Sequence, residues 1–206
     1  MIRTNTQPRL ATMLRRLASD NRGATLTEFA FVGPVLILMI MGIFDMAHTQ
    51  YTNAMINGAM QKAGRDLTLE NAANRQDIVD QRVRNAVLSV VPSTATVDFE
   101  KLAYADFTDI AEPEEFDDDD NDGICNNGEV FVDANRNGQW DADRGSTGIG
   151  GARDAVLYTV TVSYPRLFPM YGLAGLPQNV NLQSSTVLRN QPYDEQDRTV
   201  ETGNCS

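Results

Sequence analysis

Arg22-Gly-Ala-Thr-Leu-Thr-Glu-Phe-Ala-Phe-Val-Gly-Pro-Val-Leu-Ile-Leu-Met-Ile-Met-Gly-Ile-Phe-Asp45 joins a basic leader to a strongly apolar run and sets one carboxylate, Glu28, where that run begins. As a helix, Phe29 to Phe44 spans about 24 Å. With Ala24 to Thr27 and Met46-Ala47 added, the stretch approaches the ~30 Å of a bilayer's hydrocarbon core. Residues 1–23 carry five Arg and one Asp, whereas residues 24–206 carry 12 basic against 27 acidic residues, which makes the whole chain −11. The next basic side chains after the run are Lys62 and Arg65. Positive residues stay on the cytoplasmic side of a first span, so the leader reads as inside and residues 46–206 as outside. An ordinary secretory signal would have a shorter apolar run and small residues at its exit. Here Asp45 and His48 occupy the exit, and the small-residue cut lies ahead of the run.

A carboxylate in hydrocarbon costs about 2.5–3.5 kcal/mol near a helix centre and less towards an end, so Glu28 is not idle. Cleavage after Gly23 would give Ala24 a new amine, protonated near neutral pH. That cation can neutralise Glu28 of a neighbouring subunit when processed helices pack side by side.

In Arg22-Gly23, Glu28-Phe29-Ala30, Pro34, the closing Gly42-Ile-Phe-Asp45, the helix end Gln61-Lys-Ala-Gly-Arg65 and Ser185-Thr-Val-Leu-Arg-Asn-Gln-Pro192, the chain resembles type IVb prepilins. More specifically, it resembles the TadE-like pseudopilins of tight-adherence (Flp) pilus systems. The resemblance implies a minor pilin or pseudopilin cut by a prepilin peptidase, with Gly23, Ala24, Glu28 and Phe29 as the processing and packing residues. It further implies a structural role in assembling a pilus or related secretion machine, with other pilins as partners through the N-terminal helix. The expected location is the bacterial inner membrane, single-pass, with the N-terminus cytoplasmic and the head periplasmic. Incorporation into an extracellular pilus stays open.

The expected organisation is a leader (1–23), a membrane helix (24–47) and an extracytoplasmic head (48–206) carrying an acidic insertion (106–153). Past the membrane, Tyr51, Ala54, Met55, Gly58, Ala59, Lys62 and Ala63 recur at three- and four-residue steps. Such a stripe packs either on the chain's own sheet or on a neighbouring subunit. Asn71 to Asn74 mark a break. A second helix follows, with Asp77 and Asp80 in its first turn, Val79, Val83, Ala86, Val87 and Val90 on one face, and Pro92 as its stop. Thr94–Tyr104, Asp154–Tyr164 and Val180–Arg189 read as strands. In the second, Val156, Tyr158, Val160, Val162 and Tyr164 face one way, while Leu157, Thr159, Thr161 and Ser163 face the other. Pro165 to Pro177 reads as an ordered loop, and the tail after Pro192 as loose. The expected fold is α+β: a long membrane helix running into a head with a second helix on an antiparallel sheet of at least three strands.

The insertion holds the second informative stretch. Asp118-x-Asp120-x-Asp122-Gly123-Ile124-x-Asn126-x-x-Glu129 has the spacing of an EF-hand loop. Side-chain oxygens fall at positions 1, 3, 5, 9 and 12, glycine at 6, and the Ile124 carbonyl at 7. Asp133-x-Asn135-x-Asn137-Gly138-Gln139-x-Asp141 repeats the opening, with the Gln139 carbonyl at its seventh place. Its twelfth place is Arg144, so Asp143 or a residue from elsewhere has to complete it. Hard oxygens in this number suit one or two calcium ions, whereas zinc would want His and thiolate. The plain alternative is a solvated acidic loop. No amphipathic helices flank the loops, so the expectation is an EF-like hairpin rather than a helix–loop–helix sensor. TadE-like proteins do not in general carry such an insertion.

Cys125 and Cys205 form an even pair, and in an oxidising compartment they read as a disulfide within the chain. Free thiols or a bond between chains are the alternatives. The acidic mature part excludes nucleic acid as a partner, because phosphate binding needs a basic footprint. No nucleophile elbow, phosphate loop or His-rich metal site occurs, so no enzyme and no small-molecule substrate is expected. Besides the pilin reading, two others remain: a membrane-tethered calcium-dependent adhesin or sensor, and a secreted enzyme released by signal peptidase.

Overall fold

A computed structural model of the chain describes residues 12–13, 15, 22–67, 76–168, 171–190, 199 and 201–206. The expected leader therefore lies mostly outside the described residues, as does the break at Asn71–Asn74. Two compact units are present, Met1–Met46 and Ala47–Ser206.

Helix α1, Arg22–Leu67, begins in the first unit and ends in the second, and Pro34 lies inside it without ending it. In the first unit its side chains are almost all exposed, Leu26, Phe29, Ile37 and Phe44 among them, with Phe31 at 81%. Among the described residues it is the one helix long and apolar enough to cross a membrane. Gly33 is buried under the Phe29 ring one turn earlier.

In the second unit the helix becomes amphipathic. Thr52, Ile56, Met60, Ala63 and Leu67 are buried at steps of three and four, the spacing of a helix face laid on a core. Of the seven-residue stripe read from sequence only Ala63 is buried, Met55 and Ala59 being half-buried. The face turned inward is the one with volume to fill a core, so Ile56, Met60 and Leu67 take it. Tyr51, Ala54, Gly58 and Lys62 point outward. Gly64 faces the sheet at Thr186, where a Cβ would meet that side chain at 3.5 Å, an ordinary packing distance.

Helix α2, Gln76–Leu88, buries Val79, Val83 and Val87 and stops before Pro92. The main sheet contains β1 (Thr96–Tyr104), β3 (Ser146–Thr147), β4 (Ala155–Pro165) and β5 (Asn179–Arg189), all antiparallel, in the order β3-β1-β4-β5. Strand β4 is the centre: Val97↔Val162↔Leu182 and Ala103↔Val156↔Leu188 cross it on the inner face. Its inner residues Val156, Tyr158, Val160, Val162 and Tyr164 are buried in one core with the packed faces of α1 and α2, as the alternation predicted. A single helical turn, Tyr171–Ala174, interrupts the expected loop between β4 and β5.

Four polar contacts tie the helices to the sheet and to each other's flanks. Asp80 of α2 accepts the Lys101 ammonium at 2.6 Å and the Tyr158 hydroxyl at 2.7 Å. Ser184 donates to the Asn57 side chain at 2.7 Å. His48 donates to the Val90 carbonyl at 2.9 Å and meets the Tyr164 ring edge-on, which gives this histidine a packing role. Burial, and then Asp80, push the Tyr158 hydroxyl pKa far up.

A second, two-stranded sheet pairs β2 (Val130–Asp133) with β6 (Glu201–Asn204). The tail expected to be loose is thus a strand where it is described. Its pairing edge, rather than an apolar pattern, places it: Gly203 lies so close over the buried Phe131 ring that a Cβ there would collide.

Candidate functional site

The first loop closes on its own backbone. Asp118 accepts Asp122 N–H at 3.1 Å and Gly123 N–H at 3.0 Å, and Asp120 and Asp122 accept the amides of Asp122 and Ile124. Glu129 is buried, and its two oxygens accept Asp119 N–H at 2.9 Å and Asn126 N–H at 3.2 Å. One carboxylate oxygen each from Asp118, Asp120 and Glu129 lie within 4.8 Å of one another. Asn121 and Gly123 take positive φ of 58° and 75°, which glycine adopts at no steric cost at the sharp turn.

The second loop repeats this contact for contact. Asp133 accepts Asn137 N–H at 3.1 Å and Gly138 N–H at 2.8 Å, and Asn135 and Asn137 accept the amides of Asn137 and Gln139. Arg136 and Gly138 take φ of 61° and 78°, matching Asn121 and Gly123. Asp141 receives the Asn135 amide group at 2.8 Å. Asp143 is engaged elsewhere, by the Tyr104 hydroxyl and the Gly145 amide, both at 3.0 Å. Burial, followed by Asp143, pushes the Tyr104 hydroxyl pKa up to about 12.

The place that Glu129 fills in the first loop is filled in the second by Glu114. This residue is 2% exposed. Its oxygens accept Ala134 N–H at 2.8 Å and Asp141 N–H at 3.0 Å, the second and ninth amides, the same pair that Glu129 takes in its own loop. Arg144, at the twelfth place, turns to the chain that delivers Glu114: its guanidinium donates to the Pro113 carbonyl at 2.6 and 3.0 Å and its amide to Glu112 O at 3.0 Å. The chain's only tryptophan, Trp140, donates to the Glu114 carbonyl at 2.8 Å and meets Phe116 edge-on. Sequence spacing gave no route to Glu114, because it stands four residues before the first loop. The weak signal was the unassigned acidic group Glu112, Glu114 and Glu115 beside a loop whose twelfth place holds an arginine.

The two loops are joined by one small antiparallel frame. Asp117 N–H donates to Val130 O and Val132 N–H to Glu115 O, each at 2.8 Å, and Phe116 bridges to Phe131. On the other edge of β2, Cys205 N–H donates to Glu129 O at 2.8 Å and Gly128 N–H to Cys205 O at 3.1 Å. Cys125 and Cys205 face each other with Cα atoms 5.3 Å apart, a separation that a disulfide spans.

In the first unit, Glu28 and Phe29 lie exposed on α1 beside Gly23, whose carbonyl accepts the Thr27 hydroxyl at 3.2 Å. A carboxylate thus stands at the start of an exposed apolar stretch, five residues after a glycine. Residues 23–65 match the family model described as TadE-like protein. The TadE-like segment takes in Gly23, Glu28, Phe29, Pro34 and Gln61–Arg65, while the acidic hairpin lies beyond it. The comparisons found no match among curated proteins and none among solved structures.

Proposed function

We propose that this chain is a minor pilin or pseudopilin of a tight-adherence pilus system, a structural rather than catalytic part. The match over residues 23–65, laid on a helix whose apolar side chains are exposed, carries the reading. A prepilin peptidase removes the leader after Gly23. The helix from Ala24 then sits in the inner membrane, and the new amine pairs with Glu28 of a neighbouring pilin. Removing the charge of Glu28 in hydrocarbon is what makes this pairing favourable. The head lies on the periplasmic side, where a Cys125–Cys205 disulfide fastens the C-terminal strand to the hairpin. N-terminal sequencing of the membrane-bound protein tests this: a start at Ala24 is expected, and an intact leader or a start beyond residue 45 overturns it.

The hairpin favours a second, compatible reading as a calcium-dependent surface of the same part. The chemistry of its donors fits calcium: the first loop offers Asp118, Asp120, Asp122, Asn126, Glu129 and the Ile124 carbonyl, all hard oxygens. The second offers Asp133, Asn135, Asn137, Asp141, Glu114 and the Gln139 carbonyl. Deleting residues 112–143 separates the roles, because assembly that survives while attachment is lost assigns adhesion to the hairpin.

A further inference from the structure

Resting on the calcium reading of the hairpin, we propose that Glu114 makes its two loops one cooperative unit. It serves as the twelfth-position ligand of the second loop while belonging to the chain that enters the first.

Three observations point to cations rather than to a self-sufficient acidic turn. Glu114 and Glu129 are 2% and 5% exposed, and among the described residues no cationic side chain pairs with either. A buried carboxylate without a counter-charge is costly, and backbone amides offset only part of that cost. Asn126 Oδ1, at the ninth place of the first loop, is inaccessible and has no hydrogen-bond partner. Arg144, the cation standing where the second loop's ligand should be, binds the Pro113 carbonyl beside Glu114 and not its carboxylate. It works as a positioning residue that aims Glu114 into the loop.

Coupling follows from the connectivity. Three residues separate Glu114 from Asp118, and this segment is clamped to Val130–Val132. The two ends of that same strand carry Glu129 into the first loop and Asp133 into the second. An ion that draws Glu114 onto the second loop therefore fixes the entry of the first loop and the exit of its last ligand. Ordering paid once serves both sites, so the second ion binds more tightly than the first.

Calcium titration of the full chain in detergent micelles, by calorimetry and by Trp140 emission, tests the proposal. Trp140 stands inside the second loop. Wild type is expected to bind two ions cooperatively. Glu114→Gln is expected to bind one, with first-loop affinity lowered roughly tenfold, within the usual range of coupling between sites. The control Glu112→Gln, an exposed side chain two residues away, is expected to keep both. Asp122→Asn, confined to the first loop, is expected to weaken the Trp140-reported site several-fold. Two ions at unchanged affinity in Glu114→Gln, or an unmoved Trp140 titration in Asp122→Asn, overturns the coupling and leaves the calcium reading standing. No binding by wild type at millimolar calcium overturns both.

Discussion

In Asp80→Ala, two groups that α2 now satisfies from across the core lose their partner together. Lys101 would keep its charge with a side chain only 10% exposed, and Tyr158, with no accessible surface, would keep a hydroxyl without an acceptor. Removing one member of a buried ion pair costs about 3–5 kcal/mol. Because 19% of Asp80 reaches water, screening lowers the expected loss to about 2–4 kcal/mol. Tyr158→Phe leaves the Asp80–Lys101 pair intact and should cost about 1 kcal/mol. Hydrogen exchange of the β4 amides in the full chain is the assay, since central-strand amides open with the whole head. Asp80→Ala should lower their protection roughly 30- to 1000-fold, at tenfold per 1.4 kcal/mol. A fall of less than about fivefold would refute the claim that this pair is buried and needed. The double variant should lose less than the sum of the singles, because both substitutions break the same hydrogen bond. The pH dependence has a definite sign. Tyr158 stays protonated in the folded head well beyond pH 10, whereas in the unfolded chain it ionises near 10. Its contribution is therefore complete below about pH 10 and falls as pH rises above it. Tyr158→Phe should flatten that alkaline loss.

Tyr104, pushed up to about 12, adds a parallel loss that should appear between pH 10 and 12 and diminish in Tyr104→Phe, read from thermal unfolding at stepped pH. Ile56→Ala should cost about 2–5 kcal/mol by opening a cavity between α1 and the sheet, measured by the same exchange experiment. Gly203→Ala places a Cβ against the Phe131 ring and should release β6, seen as fast exchange at Glu201–Asn204 with the main sheet unchanged. Glu28→Ala should leave membrane insertion intact and abolish piliation; normal pili in that variant would remove the proposed pairing.

The elements read from sequence are those in which one period decides burial. Strand β4 alternates because one face meets the helices and the other does not, and α2 shows its Val79, Val83 and Val87 stripe for the same reason. On α1 the core face lies one step from the stripe of small residues, which it shares only at Ala63 and partly at Met55 and Ala59. Small residues marked a close-approach stripe, but the core selects side-chain volume, and both patterns share the helical period. Strand β6 was illegible because Glu201–Asn204 is polar and owes its conformation to hydrogen bonds from β2 and to the Phe131 ring. The turns of both loops followed from their spacing, but the carboxylate that closes the second from outside did not. A side chain delivered by another stretch of chain leaves no spacing, so Glu114 needed three dimensions.

The register of β1 on β4 has a kinetic consequence. Tyr104 pairs directly with Ala155, so the fifty residues between them, which touch the sheet again only through the two residues of β3, begin and end at adjacent positions. Closing so long a flexible segment costs about 3.5 kcal/mol of chain entropy before the central pairing forms. If the hairpin folds first, its short frame brings the segment's ends near each other and removes much of that barrier. The rate at which the head acquires its sheet should then follow the speed at which the insertion organises itself.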